Sequence, residues 1–293
     1  MDKQKDLVLV TGVTGHQGGA VANELLAKGV KVRGLTRKPE SEAAKALAAR
    51  GVEIVKGDLD DEASLKQALQ GAWGAFSVQN TWEAGVEGEE VQGKRFANLA
   101  REAGINHFVY TSVASAHRGT AIPHFENKWR IEQTVRGLGF PSYTIIRPVF
   151  FMENLLGPWF LPGIQEGKLA IGMKPDTALQ MIAVKDIGKY GAWAFERHED
   201  LHGREIDIAG DQLTGPQAAD VLTRVTRHPV EFVQVPIEQV RAGSDDFATM
   251  LEWFDSTGYD VDIAATARES GIQPTTFEQW AAAANLGTAV SSR

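Results

Sequence analysis

Cysteine is absent from the 293-residue sequence, which excludes disulfides, thiolate nucleophiles and Cys-ligated metals. His, Asp and Glu show no metal-ligand spacing either, so no metal site is expected. No hydrophobic run approaches the length of a membrane span, and MDKQKD followed by LVLV is too charged and too brief for a signal peptide. These absences are read as a cytoplasmic protein without a membrane partner. A block of Lys and Arg is also missing. The formal net charge of −8 and the acids spread along the chain argue against a nucleic-acid or anionic-membrane surface. What is present suffices for a core: 43% of residues are hydrophobic, enough for one large α/β domain or a nucleotide domain plus a smaller substrate region.

The first half alternates short apolar runs with longer amphipathic ones. LVLV, VKVRGLT, VEIVKG, GAFSV, HFVYTS and SYTIIRP read as parallel strands. AVANELLAKG, SEAAKALAARG, ASLKQALQG, KRFANLAREAG and HFENKWRIEQTVRGLG carry apolar residues at 3.6-residue spacing, and several end at a glycine. Repeated βα units predict a doubly wound parallel sheet that binds ligands at the strands' C-terminal ends. After Pro148 the alternation fails, and the aromatic, Gly- and Pro-rich stretch through GMKP reads as a pocket-building insertion rather than sheet. A helix over Asp186–Phe195, a strand over Arg204–Ala209, a helix from Thr214 and an EFVQVP strand complete the pattern. The expected division is a nucleotide domain over residues 1–154 and a smaller C-terminal α/β region over 155–293, with Asp186–Phe195 packing back on the first.

VTGVTGHQGGAVANELL places Gly12, Gly15 and Gly18 between a strand and a helix. A Cβ at these positions would block the tight turn, the approach of a pyrophosphate, or helix–sheet packing, while the helix N-terminus supplies aligned N–H groups. The pattern is that of a Rossmann phosphate loop; a Gly-rich turn without a ligand is the bland alternative. Strand two ends in GLTRKPE, with Thr36, Arg37 and Lys38 where an NAD-selective site offers a carboxylate to the ribose hydroxyls. A guanidinium pairs with a 2′-phosphate, so NADP(H) is preferred over NAD(H), unless the charges are a solvated pair. Asp58 follows strand three, positioned either to accept from an adenine amino group or to cap the helix that DDEAS begins.

These stretches, with the VQNTWE loop, HFENKW and RPVFFMENLL, resemble the short-chain dehydrogenase/reductase superfamily and within it the atypical NmrA-like branch, including HSCARG-type NADP-sensing proteins. The resemblance implies that Gly12, Thr14, Gly15, His16, Gln17 and Gly18 hold the pyrophosphate and Arg37 the 2′-phosphate. It places Asp58 and Leu59 at the adenine and Gln79, Asn80 and Thr81 along the ribose. Lys128 would reach the nicotinamide ribose, and Val149, Phe150, Phe151, Met152 and Glu153 would border the nicotinamide. A homodimer or a protein partner is also implied.

In ordinary superfamily members Ser, Tyr and Lys cooperate in catalysis. Here Ser112 and Lys128 are present and His124 stands where the tyrosine would be. Positions four apart share a helix face, so His124 and Lys128 address one ligand. Pro123 suits a first helical turn, which puts His124 near a positive helix end and one turn from an ammonium; both disfavour imidazolium. A neutral imidazole is a poor donor to a developing alkoxide, and Tyr110 lies within a strand. Two functions remain: an NADP(H)-responsive sensor or regulator, the leading expectation, and an NADPH-dependent reductase of quinone-, azo- or dye-like aromatic substrates that collect their proton from water. Trp82, Phe150, Phe151, Met152, Trp159 and Phe160 either line a flat apolar cavity or form core. His117 and Arg118 meet a ligand or are loop polarity. Asp186 is expected to cap a helix, Glu153 and Asn154 to fix a loop, and Trp253, Phe254 and Tyr259 to form core or a dimer surface.

Overall fold

The computed structural model describes residues 6–284 and 286. In the first half β1 (Leu7–Val10), α1 (His16–Ala27), β2 (Lys31–Thr36), α2 (Glu42–Ala49), β3 (Glu53–Lys56), α3 (Glu62–Leu69), β4 (Gly74–Ser77), α4 (Thr81–Glu102), β5 (His107–Thr111), α5 (Pro123–Gly137) and β6 (Ser142–Pro148) alternate strictly. There follow β7 (Phe150–Phe151), α6 (Leu161–Gln165), β8 (Lys168–Ile171), β9 (Ala178–Ile182), α7 (Val184–Glu196), β10 (Arg204–Ile208), β11 (Asp211–Thr214) and α8 (Gly215–Thr226). The chain continues through β12 (Glu231–Gln234), α9 (Ile237–Gly243), α10 (Asp245–Ser256), α11 (Ile263–Ser270) and α12 (Phe277–Ala283). Among the described residues no helix is long and apolar enough to cross a membrane.

Two compact units emerge. The first comprises the described residues up to Gly119 with Pro123–Arg147 and Ile187–Asp207; the second comprises Thr120–Ile122, Pro148–Asp186 and the described residues from Ile208. The first unit carries a seven-stranded sheet in the order β10-β6-β5-β4-β1-β2-β3. β1 pairs in parallel with both β2 and β4. The strand order therefore reverses between β1 and β4, where a doubly wound sheet opens a crevice at its C-terminal edge. Leu9, Leu65, Phe96, Phe108, Tyr110, Ile131 and Ile145 belong to one buried cluster beneath this edge, which fixes the loops above it on a rigid base. From Ile187 onward α7 belongs to this unit, and a Cβ on Gly188 would lie 2.7 Å from the Ala20 carbonyl oxygen of α1, a close approach of two helix backbones.

The second unit holds a three-stranded sheet, β11-β9-β7, and a two-stranded pair, β12-β8. The stretch after Pro148 thus corrects the expectation of an insertion without sheet. Phe150 pairs with Met181 and Phe151 with Ile182, while Lys168–Ile171 pairs with Glu231–Gln234. Such short strands acquire partners dozens of residues away, and local periodicity carries no trace of them. Thr214 and Gln217 form a reciprocal capping box at the start of α8, as Thr276 and Gln279 do for α12. Asp186 is not the cap of α7: it sits inside the first turn, buried, and its carboxylate accepts from the Thr275 backbone N–H at 2.6 Å.

Candidate functional site

The turn between β1 and α1 has the shape that a bound pyrophosphate requires. Gly12 takes a φ of +57°, which a side chain rarely adopts, and a Cβ there would also stand 2.8 Å from Val78 Cγ1. At Gly18 a Cβ would lie 2.3 Å from the Gly12 carbonyl oxygen and 2.5 Å from that of Thr11. Helix α1 starts at His16 from an N-cap, Gly15, that supplies no side-chain cap, and its first turn holds no acid. Its N–H dipoles therefore face outward uncompensated, as an anion site needs. Thr14, Gly15 and His16 are exposed. Gln17 is tied across the sheet, its Oε1 accepting from Thr111 Oγ1 at 2.6 Å. Thr11 Oγ1 accepts from Val78 N at 2.8 Å and so joins the C-terminal ends of β1 and β4.

Beyond β2, Arg37 reaches the first turn of α4 and pairs with Glu83, whose other carboxylate oxygen accepts from Asn80 Nδ2 at 3.3 Å. Asn80 also caps α4, accepting from the Trp82 N–H. Asp58 caps no helix: the cap of α3 is Asp61, while Asp58 Oδ1 accepts from the Asp60 N–H two residues on. The open alternative for Asp58 as a cap is thereby closed. Leu59 packs partly buried against the first unit's core. Gln79 Oε1 and Ser112 Oγ, at the ends of β4 and β5, are buried and lack a hydrogen-bond partner among the described residues. Orphaned groups at that edge, with the glycine cradle, fit a polar ligand such as a dinucleotide.

Helix α4 breaks at Gly85 (φ +75°, ψ 166°), which separates a first turn holding Thr81 and Trp82 from the rest. Glu89, one turn beyond the break, is 1% exposed. Its Oε1 accepts from Lys128 Nζ at 2.6 Å, and its Oε2 accepts from the Thr81 hydroxyl and from Asn127 Nδ2 at 2.9 Å. Burial pushes the Glu89 carboxyl up, but the Lys128 ammonium and the hydrogen bonds from Lys128, Thr81 and Asn127 outweigh it and hold the group below the ordinary carboxylate range. Lys128 is itself only 13% exposed. The linear sequence does not mark Glu89: nothing local separates it from Glu87 and Glu90 in GVEGEEVQG, and only the packing of α4 against α5 brings it to Lys128.

His124 occupies the second position of α5, directly after Pro123, and is buried. Its ring centroid lies 5.7 Å from that of Trp82 and 4.9 Å from that of Phe125. Trp82 is 66% exposed. Tyr110 cannot stand in as the acid: it is fully buried, and burial together with the nearby Glu89 and Glu132 carboxylates pushes its phenol well up. His117 contacts Arg147 at 3.2 Å. Arg147 is committed to structure, donating from Nε at 2.9 Å and from Nη2 at 2.6 Å to the two oxygens of buried Glu132, and from Nη2 at 2.6 Å to Glu205. Burial, with the Glu132 carboxylate nearby, raises the Asp207 carboxyl, and the Arg147 guanidinium 3.6 Å away offsets only part of that rise.

Val149, Phe150, Phe151, Met152 and Glu153 belong to the second unit. Phe150, Met152 and Phe160 are buried there, Phe150 meeting Phe254 edge-on at 6.5 Å, which makes them core rather than cavity lining; Trp159 is exposed. Glu153 ties that unit together, accepting from Val184 N at 2.9 Å and from Trp280 Nε1 at 3.2 Å. Trp253, Phe254 and Tyr259 form an aromatic trio with centroids 5.1 to 5.7 Å apart.

Comparison with known proteins agrees with this architecture. The NmrA-like family domain-containing oxidoreductase malD of Malbranchea aurantiaca is 30% identical over 282 residues, covering 87% of this chain and 79% of that protein. The structure of NmrA, a negative transcriptional regulator, in complex with NADP superposes with a TM-score of 0.81 at 22% identity over 95% of each chain, and the same regulator has been solved with NAD. An NADPH-dependent quinone oxidoreductase from Escherichia coli, complexed with NADPH, gives a TM-score of 0.78 at 25% identity over 94% of this chain and 99% of that one. The family model for the NmrA-like family matches residues 4–281, nearly the whole length of the sequence. The chain belongs to the NmrA-like family.

Proposed function

We propose that the protein is an NADP(H)-dependent reductase of flat, conjugated acceptors such as quinones or azo and cationic dyes. The observation that carries this reading is the exposed indole of Trp82, 5.7 Å from the His124 ring and held on the short first turn of α4. An exposed aromatic face at the C-terminal edge of the sheet is a stacking surface for a flat acceptor, and a regulator that only senses cofactor has no use for it. The kinship with an oxidoreductase and the likeness to a quinone oxidoreductase support the same direction.

In this reading the Gly12–Gly18 turn and the first turn of α1 bind the pyrophosphate, Arg37 the 2′-phosphate, and Lys128 the nicotinamide ribose. Asp58 and Leu59 border the adenine, and Gln79, Asn80 and Thr81 line the ribose. The reduced cofactor, when bound, supplies a hydride. Ser112 Oγ, buried without a partner among the described residues, donates to an acceptor oxygen. His124 stands in place of the tyrosine that delivers a proton in ordinary superfamily members, and the reading takes the acceptor to be one that collects its proton from water.

The second reading, an NADP(H)-responsive regulator, is favoured by the imidazole at position 124 and by the regulator NmrA sharing the fold. The experiment that separates the two measures NADPH oxidation with quinones, azo dyes and simple ketones in the wild type, Lys128→Ala and His124→Tyr. Saturable turnover of a flat acceptor, lost in Lys128→Ala, supports the reductase. A cofactor-dependent change in oligomeric state with no turnover overturns it in favour of the regulator.

A further inference from the structure

We propose that Glu89 is a positioning residue that cancels the charge of Lys128, so that the lysine binds through its N–H groups but does not activate an acid at position 124. The proposal rests on the reading of Lys128 as a cofactor ligand and deepens it. Every hydrogen-bonding neighbour of Glu89 described above is a donor: the ammonium on one oxygen, the Thr81 hydroxyl and the Asn127 amide on the other. An ionised carboxylate accepts only, so this shell holds the anion. Asn127 is in turn fixed by donating to the Val86 carbonyl at 2.7 Å. The carboxylate therefore sits in a rigid seat, and the ammonium is pulled 2.6 Å from it.

Seen from one helical turn away, opposite charges in contact act as a dipole rather than as a cation. A bare ammonium about 6 Å from a phenol, at an effective dielectric of about 20, lowers its titration midpoint by about two pH units. A carboxylate about 2 Å further off takes back most of that shift. Among the charged and titratable groups of the elements packed here are Glu90 of α4, itself paired with Lys94 and with Arg130 of α5, Tyr110 of β5, on which both Glu89 and Glu132 act, and His124 one turn back on α5. Tyr110 stays neutral under burial and the two glutamates, so it does not alter this balance. Restoring a tyrosine at position 124 alone would then leave a site whose lysine cannot lower the phenol, whatever the substrate.

The test uses the full chain without added cofactor and follows tyrosinate formation by ultraviolet difference titration. His124→Tyr is made in the wild type, in Glu89→Gln and in Glu89→Asp, and each curve is corrected with its matching parent to remove the four native tyrosines. Gln retains an acceptor for Lys128, and circular dichroism checks that each variant is folded. The introduced phenol is expected to titrate at least about one pH unit lower with Gln at position 89 and to return to the wild-type midpoint with Asp. Equal midpoints in the Glu and Gln backgrounds overturn the proposal. So does a rise of about two units on adding Lys128→Met and Glu89→Gln together to His124→Tyr, since the pair as a whole would then have acted as an uncancelled ammonium, whereas a cancelled pair shifts the midpoint by only about half a unit. Calorimetric binding of NADP⁺ to Lys128→Ala tests the underlying reading separately: unchanged affinity removes Lys128 from the cofactor site, while the titration still reports on the charge pair.

Discussion

Replacing Glu83 by Gln removes the carboxylate that Arg37 holds in this structure, and the consequence for cofactor choice follows from the geometry. Arg37 and Glu83 are 60% and 56% exposed, so their pairing is worth about 0.2–1 kcal/mol. A 2′-phosphate that engages Arg37 must displace or share with Glu83, and it meets that carboxylate at close range. A doubly charged phosphate about 7 Å from a carboxylate in nearly bulk water costs a further 1 kcal/mol or so. Together the two effects reach about 1–2 kcal/mol, which is roughly a five- to thirtyfold change in affinity. Glu83→Gln is therefore expected to tighten 2′,5′-ADP by that factor while leaving 5′-ADP within about twofold of the wild type. Titration calorimetry with both nucleotides at low and high salt reads this directly, and the gain should shrink as salt screens exposed charges. Arg37→Ala should cost 2′,5′-ADP about 1.5–3 kcal/mol, the value of a charge-assisted hydrogen bond. An unchanged ratio of the two nucleotides in Glu83→Gln refutes the competition. An unchanged ratio in Arg37→Ala refutes the role of Arg37 itself, and with it the preference for NADP(H).

Two further outcomes follow from backbone packing and from a buried imidazole. Gly18→Ala should destabilise the fold by about 3 kcal/mol in urea unfolding and abolish dinucleotide binding, because its Cβ meets two carbonyl oxygens that cannot move aside; Gly15→Ala, with 3.3 Å to the nearest carbonyl, should cost well under that. Equal stability of the two variants would refute the packing argument. Burial, with the nearby His198 and His202 charges, lowers His107 to about 3, against which backbone hydrogen bonds at Ala194 and Ser142 only partly compensate. The unfolded chain takes up a proton near 6.5 that the native state refuses, so stability is fully present above about 6.5 and falls as pH drops toward 3, by up to about 1.4 kcal/mol per pH unit. His107→Gln should flatten the dependence of the unfolding midpoint between pH 6.5 and 4.5; the same slope in both proteins would exclude His107 as its source.

The parts legible in the linear chain are those whose physics is local. Alternating apolar runs and 3.6-residue periods mark the strands of the first unit and most of its helices, because each buries one face against its neighbours; the first part of α4, from Thr81, read as the VQNTWE loop. The glycines at positions 12, 15 and 18 read as a phosphate turn because space at a strand–helix junction is itself a sequence property. Lys128 and His124 could be placed on one helix face for the same reason. The second unit was less legible: β7 and β8 are short and find partners far along the chain, so nothing in their own composition declares them. Glu153 and Asp186 read as loop-fixing and capping residues, and only the fold reveals that one holds Val184 and Trp280 and the other Thr275.

The sequence by itself determined the doubly wound sheet, its glycine-lined strand–helix turn and the absence of a tyrosine ahead of Lys128, since periodicity, glycine spacing and residue identity need no partner to be read. Only the tertiary structure decided what charge surrounds those residues. Glu89 lies 39 positions from Lys128 and Glu83 lies 46 positions from Arg37, and each becomes a counter-ion only because the sheet order sets α4 against α5 and brings its first turn to the end of β2. Electrostatics depends on distance in space, and that distance is what folding supplies.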